Sequence, residues 1–175
     1  LEQKTACLIV PVTNGRKLGG LAAELDRASR GLVGRLIKRG DVTGAVGETL
    51  MLPEVSGVGA DRVLLVGAGK ADGVRPAEYR QLLDKAARLV NDAALRNAVC
   101  ALGEVKVNGR DEDWKTMQTV LAFNNAAYRF DQLKSKPTRK AVTGRVTLAV
   151  SPEDFAATQR AVKQASGVAL GIALT

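Results

Sequence analysis

The fold of this chain is decided by the stretch Arg62-Val-Leu-Leu-Val-Gly-Ala-Gly-Lys70. Its apolar run, Val63 to Val66, has no polar alternation, which is typical of a strand that is buried on both faces. Gly67 and Gly69 end this strand, and Pro76 opens a helical pattern a few residues later. A strand, a glycine turn and a helix in this order predict an α/β domain.

Four further runs predict the other strands of a sheet: Ala6–Val10, Glu48–Leu52, Asn97–Leu102 and Arg145–Val150. The first of these is expected to end at Pro11. A short, glycine-containing connection separates the second from the central strand, which favours antiparallel pairing between the two. The sequence therefore predicts a mixed sheet.

Apolar residues at three- and four-residue spacing predict helices over Leu18–Leu36, Tyr79–Val90, Trp114–Tyr128 and Phe155–Ile172. Gly31 and Gly34 weaken the middle of the first helix, which leaves one long helix or two shorter ones open. The last helix is expected to begin at Ser151-Pro152, a capping hydroxyl followed by proline at the first helical position. Phe155 is expected on its buried stripe.

The composition is that of a globular domain, with 46% hydrophobic and 25% charged residues over 175 positions. Cys7 and Cys100 lie inside apolar runs, so we expect both to be buried and reduced, as in a cytoplasmic protein. No apolar stretch approaches the length of a membrane span, and we expect no membrane partner. The net charge of +8 permits contact with a polyanion such as nucleic acid.

The residue types exclude several kinds of catalytic site. The chain contains no histidine, so a Ser-His-Asp triad or a zinc site that needs imidazole cannot form within it. The acidic run Asp111-Glu-Asp113 precedes the helix at Trp114, where acids favour the helix N-terminus, and we interpret it as a cap. We therefore expect no catalytic and no metal-binding residue in this chain.

The turn at Gly67 and Gly69 joins a strand to a later helix, and its backbone N–H groups could hold a phosphate. The third glycine is Gly73, one position too late for the dinucleotide-binding spacing, and Lys70 is not followed by Ser or Thr as in a P-loop. A phosphate site and a plain turn are both open at this point.

The segment of about 129–145 is predicted to be an exposed, basic loop. Four of its cations lie within seven residues: Lys134, Lys136, Arg139 and Lys140. No aromatic residue interleaves them, which argues against stacking on single-stranded bases. Contact with the backbone of duplex DNA needs charge alone, so a solvated connection and a DNA contact both remain open.

Several stretches of the chain, in this order, resemble the N-terminal domain of the leucyl aminopeptidase (cytosol aminopeptidase) family. They are Lys38-Arg-Gly-Asp-Val-Thr-Gly44, Gly47-Glu-Thr-Leu-Met-Leu-Pro53, the central strand and its glycine turn, Tyr128-Arg-Phe-Asp-Gln-Leu-Lys-Ser-Lys136, and Ala169-Leu-Gly-Ile-Ala-Leu-Thr175. The resemblance implies a macro-like α/β domain over 1–175, with a mixed sheet flanked by helices on both faces. It also implies a closing helix of about 152–175 that leads to a catalytic domain.

The catalytic domain of the family carries two divalent metals, zinc or manganese, and the signature Asn-Thr-Asp-Ala-Glu-Gly-Arg. This signature is absent here, so the resemblance assigns no catalytic residue to this chain. It implies a cytoplasmic parent protein that removes N-terminal amino acids from peptides and forms hexamers, and in some bacterial members binds DNA. The alternative is a macro-like module that binds a nucleotide, ADP-ribose or DNA.

Overall fold

The computed structural model describes residues 1–15, 18–132 and 144–173. Within these ranges, five strands form one sheet: β1 (Leu8–Val12), β2 (Thr49–Pro53), β3 (Arg62–Gly67), β4 (Asn97–Cys100) and β5 (Arg145–Leu148). Their order across the sheet is β2-β3-β1-β4-β5. Strand β2 runs antiparallel to β3, and the other neighbours are parallel. The predicted mixed sheet is confirmed.

The helices are α1 (Gly20–Ala28), α2 (Leu32–Arg39), α3 (Pro76–Asp92), α4 (Glu112–Gln132) and α5 (Phe155–Ala173), with a short 3₁₀ helix at Leu102–Glu104. Successive side chains of a strand point to opposite faces of its sheet. Leu64 therefore packs in the cluster that contains α3 and α4, and Leu65 packs with α1 and α2. Both leucines are fully buried, and each contributes about 1.5–3 kcal/mol to folding.

No helix in the described part of the chain is both long enough and apolar enough to cross a bilayer. Both cysteines are buried and free, as predicted. Burial raises the pKa of the Cys7 thiol to about 11 and that of Cys100 to about 12. These thiols therefore stay protonated at neutral pH and act as core side chains.

The prediction that the first strand ends at Pro11 is wrong, because β1 continues through it to Val12. The Ile9 carbonyl accepts a hydrogen bond from the N–H of Ala101, which lies just after β4. Pro11 lies two residues after Ile9, so its backbone groups also point towards β4. The pairing of β1 with β4 ends at Ile9. The N–H that proline lacks therefore falls beyond the ladder, where nothing in the sheet requires it.

Of the two possibilities left open for the first helical pattern, the structure shows two helices. The break falls at Gly31, whose φ of +79° lies in the left-handed region. Gly34 lies inside α2 instead, and its N–H donates to the Asp26 carboxylate at 2.8 Å. The side chain at the end of α1 thus holds the start of α2 against it.

Three further expectations on the C-terminal part need correction. Helix α4 continues to Gln132, so the first residues assigned to the basic loop are helical, because neither glycine nor proline interrupts the chain between Glu112 and Gln132. Helix α5 begins at Phe155, and Ser151 accepts a bond from the Asp154 N–H in the turn before it. Phe155 is 60% exposed rather than buried, because no described residue lies over this first position of the helix.

Candidate functional site

The carboxyl ends of the parallel strands meet at one edge of the sheet, and the chain changes direction there. After β1 the chain reaches β3 on one side, and after β3 it crosses through α3 to β4 on the other side of β1. The end of β1 is therefore a topological switch point, which is where open α/β sheets bind their ligands.

A cavity of about 560 Å³ lies at this switch point. Its lining comes from the end of β1 and the residue after it (Pro11 and Thr13), from the start of α1, and from Lys70 after β3. Residues 104–106, which follow β4, complete the lining. Its volume is in the range of small-molecule sites. This cleft is the candidate site of the molecule.

The glycine turn at the end of β3 does not leave its N–H groups free. Each donates to a backbone carbonyl, with Gly67 bonded to Glu48 at 2.7 Å, Ala68 to Val12 at 2.8 Å and Gly69 to Gly44 at 2.8 Å. A phosphate held by Gly67 and Gly69 would have to displace these bonds. The phosphate contact at the two glycines stays a prediction.

Close approach of two backbones explains the glycine at position 67. A Cβ there would overlap the carbonyl oxygen of Ala45, in the turn that precedes β2. The Gly47 N–H in turn donates to the Gly67 carbonyl at 2.9 Å. The two turns therefore pack against each other without room for a side chain.

Glu104 is the acidic side chain of the cleft. It lies at the end of the 3₁₀ helix, and its Oε2 accepts the N–H of Leu21, in the first turn of α1, at 3.0 Å. Partial burial raises the pKa of the Glu104 carboxyl above its ordinary value, an effect that the Leu21 N–H opposes and the charge of Glu24 reinforces. The carboxylate thus satisfies a helix N-terminus from a distant part of the chain.

Two cations, Lys70 and Lys106, also line the cleft, and both are exposed. Neither ammonium group has a carboxylate within 4.0 Å in the part of the chain that the structure describes. Among the described residues, the lining of the cleft therefore combines one carboxylate, already hydrogen-bonded, with two cations available to a ligand.

The four cations of the predicted DNA contact, Lys134, Lys136, Arg139 and Lys140, lie outside the described residues. The acidic run is a helix cap, as predicted: the Asp111 carboxylate accepts the Trp114 N–H at 2.9 Å at the start of α4.

The carboxylates of the described residues do not fit a two-metal centre. Eight of them are engaged with separate partners along the chain: Asp26, Asp41, Glu48, Glu78, Glu104, Asp111, Glu112 and Asp154. Within these ranges no group of three or more Cys, Asp or Glu side chains is placed to hold a metal ion. The metals that the resemblance implies therefore find no ligand set among these residues.

Sequence reasoning missed the contact between Glu104 and the first turn of α1, which are 83 residues apart. The order of the strands and turns in the sequence did indicate this contact. The pair Gly19-Gly20 follows the first strand and Glu104 follows the fourth, and ends of parallel strands share one edge of a sheet. A glycine pair and an acid at that edge could have been placed together.

A five-stranded mixed sheet between two helical layers, with a cleft at its carboxyl edge, defines the macrodomain-like class of α/β proteins. A Trypanosoma brucei macrodomain solved in complex with ADP matches 90% of this chain and 63% of its own, with a TM-score of 0.60 and 15% identity. A mutant of tomato leucine aminopeptidase matches 99% of this chain and 35% of its own, with a TM-score of 0.70 and 19% identity. These likenesses show the fold.

The family follows from the sequence. The model of the cytosol aminopeptidase family, N-terminal domain, matches residues 9–137. A probable cytosol aminopeptidase of Burkholderia multivorans is 40% identical over 176 aligned positions, which cover the whole of this chain and 35% of the relative. The chain belongs to the cytosol aminopeptidase family and spans about a third of the length of that relative.

Proposed function

We propose that this chain is the non-catalytic N-terminal domain of a cytoplasmic, metal-dependent aminopeptidase that removes N-terminal amino acids, leucine among them, from peptides. The observation that carries the proposal is the match of the entire chain to 35% of a probable cytosol aminopeptidase at 40% identity. Two divalent metals, zinc or manganese, would be held by residues outside this chain and would polarise the scissile carbonyl.

The contribution of this domain would be to assembly, with its own catalytic domain and with other copies in a homo-hexamer. The exposure of Phe155 supports a protein contact. This aromatic side chain at the start of α5 is 60% exposed, and its burial by a partner would remove a large apolar surface from water. Val150, five residues earlier and 36% exposed, lies on the approach to the same helix.

The test is an activity assay of the purified chain with leucine p-nitroanilide and added zinc or manganese. We expect no hydrolysis above the rate without protein, while a leucine aminopeptidase of known activity serves as the positive control. Hydrolysis that copurifies with the chain and is lost on addition of a chelator would contradict the proposal.

A second candidate function is the binding of a nucleotide such as ADP or ADP-ribose in the cleft. The observation that favours it is the cavity of about 560 Å³ at the switch point of the sheet, with Lys70 and Lys106 in its lining. The Trypanosoma macrodomain of the same fold is described in complex with ADP. Calorimetry with ADP-ribose tests this function, and the absence of heat at millimolar ligand would dispose of it.

A further inference from the structure

Strand β2 forms one edge of the sheet, and within the described residues it pairs with β3 alone. Just before β2, the Glu48 carbonyl accepts the N–H of Gly67, the last residue of β3. Just after β2, the Glu54 N–H donates to the Asp61 carbonyl. Backbone groups alternate in direction along a strand of an antiparallel pair. The even-numbered residues of β2 therefore direct their backbone groups to β3, and the odd-numbered residues direct theirs outward.

The outward-facing residues of β2 are Thr49, Met51 and Pro53. Thr49 and Met51 each offer an N–H and a carbonyl group, whereas Pro53 offers a carbonyl group only. No loop or helix of the described ranges hydrogen-bonds to these groups. A row of open backbone groups at the edge of a sheet is a template for a further strand.

The side chains at this edge are apolar. No residue of Thr49–Pro53 carries a charge. Leu50 and Leu52 pack partly on the side of α1 and α2, and Met51 packs partly on the side of α3 and α4. All three are half-buried, so each leaves apolar surface at the edge. Charged residues commonly protect an edge strand from pairing, and β5 at the opposite edge begins with the exposed Arg145. Strand β2 lacks this protection.

We propose that β2 pairs with β2 of a second copy of this chain, antiparallel and centred on Met51, so that two sheets join into one. Each Met51 N–H donates to the Met51 carbonyl of the other copy, and each Thr49 N–H donates to the Pro53 carbonyl of the other copy. Every outward N–H is thereby paired, and the N–H that proline lacks leaves only the Thr49 carbonyl without a partner in the ladder. The strand is complementary to itself when turned round, which is what a two-fold axis requires.

The side chains fit the same register. Leu50 lies opposite Leu52 of the second copy on one face of the joined sheet, and the two Met51 side chains lie opposite each other on the other face. A shift by two residues in either direction places a leucine opposite Glu48 or Glu54 instead. Glu54 has a φ of +51° and leaves the strand, so the ladder ends before it.

The inference deepens the assembly with other copies that is part of the proposed function. It makes no use of the peptidase activity, so the interface and the activity can fail separately. Cross-linking and the oligomeric state of the purified chain test the interface.

Cross-linking of introduced cysteines tests the register. In Met51→Cys the two Cα atoms of a hydrogen-bonded pair lie about 5.5 Å apart, within the range of a disulfide. Thr49→Cys is the matched control, because it lies at the same edge and on the same face but about 14 Å from its own copy. The native cysteines are buried, so they do not compete. After mild oxidation we expect most of Met51→Cys, and little of Thr49→Cys, as a covalent dimer of twice 18.4 kDa.

Sedimentation equilibrium measures the pairing without a cross-link. Met51→Pro removes an outward N–H that β3 does not use, whereas Met51→Leu keeps both the N–H and an apolar side chain. We expect the parent chain and Met51→Leu to dimerise alike, and the Kd of Met51→Pro to be at least about tenfold higher, because two hydrogen bonds are lost. Circular dichroism shows whether the proline variant is folded.

A parent chain that stays monomeric up to about 1 mM would overturn the inference and leave the proposed aminopeptidase role standing. Equal yields of covalent dimer from the two cysteine variants would show that the strands do not meet at Met51. A folded Met51→Pro variant that dimerises as the parent does would place the interface elsewhere. Should proline unfold the chain, the comparison of Met51→Cys with Thr49→Cys decides.

Discussion

Glu48 shows how a single carboxylate holds the edge of the sheet together. Its Oε2 accepts the Thr43 N–H and hydroxyl, each at 2.8 Å, and the Gly44 N–H at 2.9 Å. Burial alone would raise the pKa of Glu48, but the bonds from Thr43, Gly44 and Ala45 together hold it below the ordinary value of 4.5. This residue fixes the turn against which the glycines at the end of β3 pack.

Replacing Glu48 by glutamine should reduce the free energy of unfolding by about 1 kcal/mol at pH 7, because bonds to a charged acceptor become bonds to a neutral one. A carboxyl with a lowered pKa in the folded state stabilises the protein fully above its unfolded pKa. This stabilisation is lost as the pH falls from 4.5 through the lowered folded value. The difference between parent and Glu48→Gln should therefore shrink on acidification.

Urea unfolding at pH 7 and at pH 3 measures this difference. Glu54→Gln is the control, since Glu54 follows β2 at its other end and makes no side-chain hydrogen bond within the described ranges. A Glu48→Gln variant as stable as Glu54→Gln at pH 7 would show that the turn does not depend on the carboxylate.

At the scale of elements, the apolar periodicity of the sequence correctly predicted the strands and helices whose formation depends on neighbouring residues. The strand at Arg62–Gly67 and the helix from Pro76 follow from a short apolar run, a glycine turn and a proline, all of which act locally. The end of β1 could not be predicted from neighbouring residues. Pro11 fits in the strand because the pairing of β1 with β4 ends at Ile9, so no backbone N–H is needed at position 11. The spacing of Phe155 placed it on the buried stripe of its helix, but the exposure of its side chain depends on which residues pack against it, and spacing does not show this.

Lys115 joins α4 to the 3₁₀ helix, and no pattern in the sequence indicated it. The residue is only 6% exposed. Its ammonium group donates to the Gly103 carbonyl at 2.6 Å and to the Val105 carbonyl at 3.4 Å, and it pairs with the Glu112 carboxylate. A buried cation of this kind is stable because several oxygens surround it.

Lys115→Met should lower the free energy of unfolding by about 2–3 kcal/mol, because methionine leaves two carbonyl oxygens and a carboxylate without their donor. The midpoint of urea unfolding measures the change. Lys106→Met is the matched control, since Lys106 is exposed and makes no side-chain hydrogen bond among the described residues. Equal midpoints for the two variants would rule out the anchoring role of Lys115.

At the scale of the whole molecule, the fold was predictable from apolar spacing, whereas the cleft required the order of the strands as well. Alternating strands and helices specify an α/β sheet from apolar spacing alone. The cleft depends on the meeting of Gly20 with Glu104, which the topology brings together across most of the chain. The positions of Gly67 and Gly69 after a strand permit a phosphate-binding turn, whereas in the structure the N–H groups of both glycines donate to backbone carbonyls within the fold. A glycine pattern alone does not distinguish close backbone packing from ligand binding.

The last prediction concerns DNA and rests on the sequence. We propose that Lys134, Lys136, Arg139 and Lys140 contact the backbone of duplex DNA, because four cations within seven residues can neutralise several phosphates. Such binding is independent of DNA sequence and falls with salt, with a log–log slope of roughly −0.9 per phosphate contact. We expect micromolar or weaker binding at low salt that is largely lost near physiological salt, with avidity added if the parent protein presents several copies to one duplex.

Reversal of these four cations to glutamate removes two charge units at each position and takes the net charge from +8 to zero. Overall charge alone could weaken DNA binding, so a matched variant must carry the same change elsewhere. Four exposed cations outside any ion pair in the described ranges serve this purpose: Arg27, Lys38, Arg88 and Lys163. Fluorescence anisotropy of a labelled duplex at one ionic strength should show binding lost in the first variant and largely kept in the second. Equal losses would assign the binding to net charge, and unchanged binding by the first variant would show that DNA is contacted elsewhere.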